Sequence, residues 1–130
     1  MAIAMHLRLR DERHAPAIAR RTAASILRGT APVDVEMVSL LVNELVVRVR
    51  QRALSGEPID VRLKTTAALL RVTVAAGSSD GGGERPEEPE GLNAGWTLLM
   101  IDRVADRWGV DDGRAVRIWF EIDMETVEVP

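Results

Sequence analysis

The sequence predicts an α+β fold, a two-layer sandwich in which three helices cover one face of a mostly antiparallel, mixed sheet. Three observations predict it. Several segments alternate apolar and polar residues with period two, three others place apolar residues at spacings of three and four, and two of the alternating pairs are close enough to be hairpins. Their order is strand, helix, helix, hairpin, loop, helix, hairpin, which leaves no room for the βαβ repeats of a parallel sheet.

Ile3, Met5, Leu7 and Leu9 alternate with Ala4, His6, Arg8 and Arg10, the pattern of a first strand with one buried and one wet face. Asp11 to Pro16 breaks it, and Ala15 to Leu27 runs at helical spacing, with Gly29 as its stop. Pro32 and Asp34 introduce the longest apolar-periodic run, Val38 to Arg52, in which Val38, Leu41, Val42, Leu45 and Val49 share a helix face. Asp34 or Thr30 can cap it, and Gly56 follows its end.

Ile59, Val61 and Leu63 alternate, Thr65 to Ala68 reads as a turn, and Leu70, Val72 and Val74 alternate again. Gly77 to Gly91 then reads GSSDGGGERPEEPEG, without a single large apolar residue. Such a segment buries too little to offset an ordering cost of roughly 1 to 2 kcal/mol per residue, so a mobile loop is expected. Leu98, Leu99, Ile101, Asp102 and Ala105 restore helical spacing, with Asn93 or Thr97 near the start. Trp108 to Val110 is short and extended, Asp111 to Gly113 reads as a tight turn, and Val116, Ile118, Phe120 and Ile122 form a last strand. The acidic tail from Asp123 is expected to fray. Arg8, Arg10, Arg62, Lys64, Arg71, Thr73, Arg117 and Glu121 fall on the wet side of these strands, so one sheet face should be open to solvent or a partner.

The 130 residues make one domain, 1–130, large enough for a core without disulfides or metal. A net charge of −3 disfavours nucleic acid as the partner, and no apolar run is long enough for a membrane span. Zero cysteines exclude thiol chemistry and thiolate zinc sites and fit a cytoplasmic location. Lys64 is the sole lysine, so a lysine-dependent phosphate loop is absent. His6 and His14 are isolated, which argues against a metal site.

Four stretches then carry a family resemblance: NELVVRVRQR from Asn43, LLRVTVAAGSS from Leu69, GWTLLMIDRVADRWGV from Gly95 and GRAVRIWFEI from Gly113. In this order, with a loop at 77–92 where an ATP lid would lie, the chain resembles the anti-sigma-factor serine kinases and their actinobacterial relatives. These have the Bergerat ATP-binding fold of histidine kinases, gyrase and MutL-type ATPases. The resemblance covers nearly the whole chain. It implies a Bergerat-like sandwich, ATP with magnesium as cofactor, and as partners a sigma factor, an anti-sigma-factor antagonist or another signalling protein, with homodimerisation in view.

The site residues depart from that pattern. The family's central helix reads like SELVTNAVRH, with a glutamate as general base and an asparagine one turn on as magnesium ligand. Glu44 matches the base, but Arg48 stands at the asparagine, and a guanidinium has donors only. The family's adenine-reading aspartate falls at Ala76, whose methyl accepts no hydrogen bond. Leaving the adenine amino group unpaired costs about 1 to 3 kcal/mol. Asp80 lies too far past the strand to replace it. In the phosphate turn, Gly95 is kept and Thr97 replaces the second glycine, a poor choice if a positive φ is required. Adenine, metal and phosphate contacts are altered together, so the expectation is a degenerate nucleotide site with no cofactor and an inactive base position at Glu44, a pseudokinase acting through protein contacts. The rivals are an active ATP-dependent protein serine kinase and a scaffold or nucleic-acid-binding module.

Two readings of Arg48 stay open at this point. Glu44 and Arg48 form either an exposed helix pair worth about 0.2 to 0.5 kcal/mol, or an internal pair with the guanidinium filling the vacated metal region. Trp108 and Trp119 are expected to pack, whereas Trp96 is expected either to plug the pocket or to anchor a partner.

Overall fold

The computed structural model of the chain describes residues 2–10, 13–29, 31–54, 56–77, 92–112 and 115–124, with the backbone alone at 92–96 and 112. Its elements run β1 (Ile3–Leu9), α1 (Ala15–Leu27), α2 (Val35–Arg52), β2 (Ile59–Thr65), β3 (Leu69–Ala76), α3 (Leu92–Val104), β4 (Arg107–Asp112) and β5 (Val116–Asp123). The five strands form one open sheet in the order β1-β2-β3-β5-β4. Every pairing is antiparallel, so the sheet is not mixed as expected. The reason lies in the connections: each neighbouring pair within β2-β3 and β4-β5 is a hairpin, and the helical crossovers return β1 and β3 beside strands of opposite direction.

Alternation explains which face is covered. Ile59, Val61 and Leu63 of β2, Leu70, Val72 and Val74 of β3 and Ile118 and Phe120 of β5 point to one side and are buried there. α2 lies across them, packing against β2, β3 and β5 as well as both other helices. Its buried side carries Val38, Leu41, Val42, Leu45, Val46 and Val49. Asp34 caps it, its carboxylate accepting from the Met37 N–H at 3.2 Å, and buried Ser39 satisfies its hydroxyl on the Glu36 carbonyl at 3.1 Å. α1 presents Ala15, Ala19, Ala23 and Ala24 with Leu27, and these small side chains let it approach α2 closely. Thr65 turns its hydroxyl to the Ile3 N–H at 2.9 Å, tying the start of β1 to the end of β2.

α3 begins at Leu92, beside Asn93, the earlier of the two starts that the sequence offers. Two boundaries differ from the sequence reading. Asp111 and Asp112 belong to β4 instead of a turn, and Asp111 is held there by a cross-strand ion pair to Arg117 at 2.5 Å. Asp123 does not fray: its N–H donates to Asp106 at 2.6 Å, and the next residue, Met124, is buried with its N–H on the Ala68 carbonyl at 2.8 Å. The expected loop from 78 to 91, Gly113 and the tail beyond 124 lie outside the described residues.

The open sheet face is laced by ion pairs. Arg107 reaches Glu121 at 2.9 Å and Asp123 at 2.5 Å, and Arg71 reaches Glu121 at 2.7 Å while stacking on the Trp119 ring at 4.5 Å. That indole lies flat over Gly109, where an added methyl would sit 2.7 Å from the indole nitrogen. Trp108, on the other side of β4, packs against the core and donates to Asp102 at 3.3 Å.

Gly109→Ala should push the indole off and break the Arg71 stack, destabilising the fold by about 1 to 3 kcal/mol in urea titration with an altered tryptophan emission. Asp34→Ala should cost about 0.5 to 2 kcal/mol by the same measurement. The bonds from Arg107 and then Arg71 hold the Glu121 carboxyl below its ordinary value, and that from Arg107 does the same for Asp123. At Asp60 burial pushes upward, but bonds from His6 at 2.7 Å and Arg8 at 3.2 Å outweigh it, so its pKa is also lowered. A lowered folded pKa means the unfolded chain binds protons first, so this contribution is present above the ordinary carboxylate range and lost as pH falls through and below it. Thermal unfolding scans should show Tm flat down to about pH 5 and dropping below it, with the drop reduced in Arg107→Gln.

Candidate functional site

α2 positions the two residues at the centre of the sequence reading. Glu44 and Arg48 are one turn apart and half-buried, on the flank where the buried stripe gives way to solvent. Met37 and Leu40 precede them on that flank at spacings of three and four, so it is apolar at its start and charged further on. The structure records no hydrogen bond or ion pair between Glu44 and Arg48, and neither side chain has one with any described residue. Neither the exposed pair nor the internal pair is therefore what the side chains adopt.

Ala76 is the last residue of β3, fully buried, with Ile59 of β2 and Val116 of β5 as its cross-strand neighbours. The chain then turns at Gly77, whose φ of 84° is a backbone state that a side chain would resist. Alternation along β3 puts Ala76 on the helix-covered face, with Leu70, Val72 and Val74. Any side chain there points into the layer between sheet and helices, and alanine fills it with a methyl.

Gly95 and Thr97 both lie within α3. Thr97 is buried, and among the described residues no side-chain-bearing residue has a positive φ. The strain foreseen for a β-branched residue at a tight turn does not arise, because the segment is helical there. The side chain of Trp96 lies outside the described residues.

α2 packs against both β3 and α3, so the elements bearing Glu44, Arg48, Ala76 and Thr97 adjoin one another around one core. Arg48 has no lone pair for a metal, Ala76 has no acceptor for an amino group, and Glu44 alone offers a carboxylate. No cluster of three histidine or acidic side chains able to hold a metal exists among the described residues.

One feature escaped sequence reasoning. Met37, Leu40, Leu99, Met100 and Arg103 line a groove of about 410 Å³ where α2 and α3 meet. The signal was available: Met37, Leu40 and Leu99 are apolar residues off the core-facing stripes, more than a two-layer core requires.

No family model matches the chain, and no curated protein does. Among solved structures, the chain is similar to a histidine kinase from Burkholderia phymatum STM815, with a TM-score of 0.54 and 18% identity over 95% of this chain and 72% of that one. At that identity the likeness speaks for architecture alone. No helix among the described residues is long and apolar enough to cross a membrane. The chain thus has an α+β fold, a five-stranded antiparallel sheet with three helices, similar to that of the solved histidine kinase.

Proposed function

We propose that this chain is a non-catalytic regulatory domain that works by binding another protein, with ATP binding lost or greatly weakened. The observation that carries this reading is Arg48: a cation stands half-buried on α2, one turn past Glu44, where the resemblance to anti-sigma-factor kinases calls for a magnesium ligand. The fully buried methyl of Ala76 supports it independently, since it removes the acceptor that would read adenine. No cofactor is needed on this reading. The partner is a sigma factor, an anti-sigma-factor antagonist or another signalling protein of the cytoplasm, and the effect is reversible occlusion of the partner's surface, with homodimerisation as a further contact.

A second reading, an active ATP-dependent protein serine kinase and anti-sigma factor with Glu44 as base, is favoured by the retained Glu44 and Gly95. A third, a scaffold or nucleic-acid-binding module, is favoured by Arg62 and Lys64, exposed on the open sheet face without an ion pair among the described residues.

Calorimetric titration with ATP and ADP, each with magnesium and beside an active relative, separates the first two. No detectable heat from folded protein supports the regulatory reading, while micromolar binding puts the kinase first. Arg48→Asn combined with Ala76→Asp should bring measurable magnesium-nucleotide binding, with the adenine contact alone worth about one to two decades of affinity. No gain in that variant counts against loss at these two positions. Binding to DNA or RNA that falls steeply with salt supports the third reading, and no binding at low salt removes it.

A further inference from the structure

Among the described residues, three of the five large apolar side chains that stand exposed come together in one place. Met37, Leu40 and Leu99, exposed to 39%, 40% and 50%, line a single groove with Met100 and Arg103. Scattered apolar side chains on a surface are ordinary, but convergence in a concavity marks a contact site. Arg103 is the one charged residue of the lining, is exposed, and has no hydrogen bond or ion pair with any described residue.

We infer that the groove between the start of α2 and the end of α3 docks an amphipathic helix of a partner protein, one that presents two large apolar side chains a turn apart and an acidic residue facing Arg103. The groove walls favour a helix over other occupants. An extended peptide would bring backbone N–H and C=O groups against carbon surfaces that offer no partner, whereas a helix satisfies its own backbone. A nucleic-acid strand would find one cation for its row of phosphates. Met37 with Leu40 on one wall and Leu99 with Arg103 on the other repeat at one helical turn, the spacing at which a helix displays its own stripe. Two of the five lining residues are methionines, whose flexible side chains adapt to the occupant. Arg103 gives the contact its sign, since an unpaired guanidinium at the rim selects a carboxylate and repels a cation.

This inference rests on the protein-binding reading above, yet it fails separately: nucleotide titration tests the pocket beside Glu44, and peptide binding tests the groove. The probe is a fluorescently labelled, capped helical peptide of about 18 residues, long enough to hold helix in water, with leucines one turn apart and a glutamate one turn further. A twin peptide has lysine for that glutamate, and dodecanoate stands for an apolar small molecule. Wild-type protein should bind the glutamate peptide about tenfold more tightly than the lysine one, Arg103→Glu should invert that preference, and Leu99→Glu should weaken both at least about tenfold. Both positions are exposed, and circular dichroism verifies that the variants fold. Absence of peptide binding by wild type, binding unmoved by Leu99→Glu, or no inversion in Arg103→Glu overturns the inference. So does dodecanoate that displaces the peptide and binds more tightly, which would make the groove a small-molecule site.

Discussion

An antiparallel sheet with one apolar face is stable in water only under a cover, and here a single helix supplies most of it. α2 spans β2, β3 and β5 and is flanked by α1 and α3, so its rotation about its own axis is fixed from every side. Buried residues at seven positions set that rotation, from Val38 to Val49. Once it is set, the remaining positions have no freedom: Glu44 and Arg48 must stand at the margin of the core, and Met37 and Leu40 must face the end of α3. The candidate nucleotide region and the apolar groove are thus two stretches of one helix flank, and neither can move without unpacking the sheet.

That coupling fixes the surroundings of each side chain at the candidate site. Ala76 is locked by alternation into the layer between sheet and helices, where an aspartate would have to be desolvated and would tolerate that only with a hydrogen-bonding ligand in place. Alanine carries no such penalty. On α2, Arg48 brings a guanidinium, which has donors only, to the half-buried flank one turn from Glu44.

Strand alternation and the α2 stripe were legible in the sequence because each is a local pattern with a burial consequence: Ile3–Leu9 and Ala15–Leu27 appear in the structure where the periodicity puts them. What was not legible depended on partners distant in the chain. Asp111 reads as a turn residue until Arg117 is placed beside it, and Asp123 reads as tail until Asp106 accepts its N–H. Pairing direction was likewise obscured, since two helices separate β1 from the strand it joins. At the site, sequence could name Glu44, Arg48 and Ala76 and state what their side chains lack, but it could not say that Glu44 and Arg48 leave each other unpaired, nor that Leu99 and Met37 face one another.

The sheet order leaves β1 and β4 at its margins, each with one row of backbone groups unpaired within the sheet. Such rows are templates for runaway strand addition, and small proteins that fold from a ribosome at high local concentration are exposed to it. Both margins carry alternating charges that a second strand would have to bury or match: His6 and Arg8 on one, Arg107 and Asp111 on the other. On β4 these charges are already engaged with β5, so an incoming strand would have to compete with them. The ion pairs that stiffen the open face therefore also act as a guard against aggregation, and a variant stripped of them would be expected to lose yield and solubility before it lost its fold.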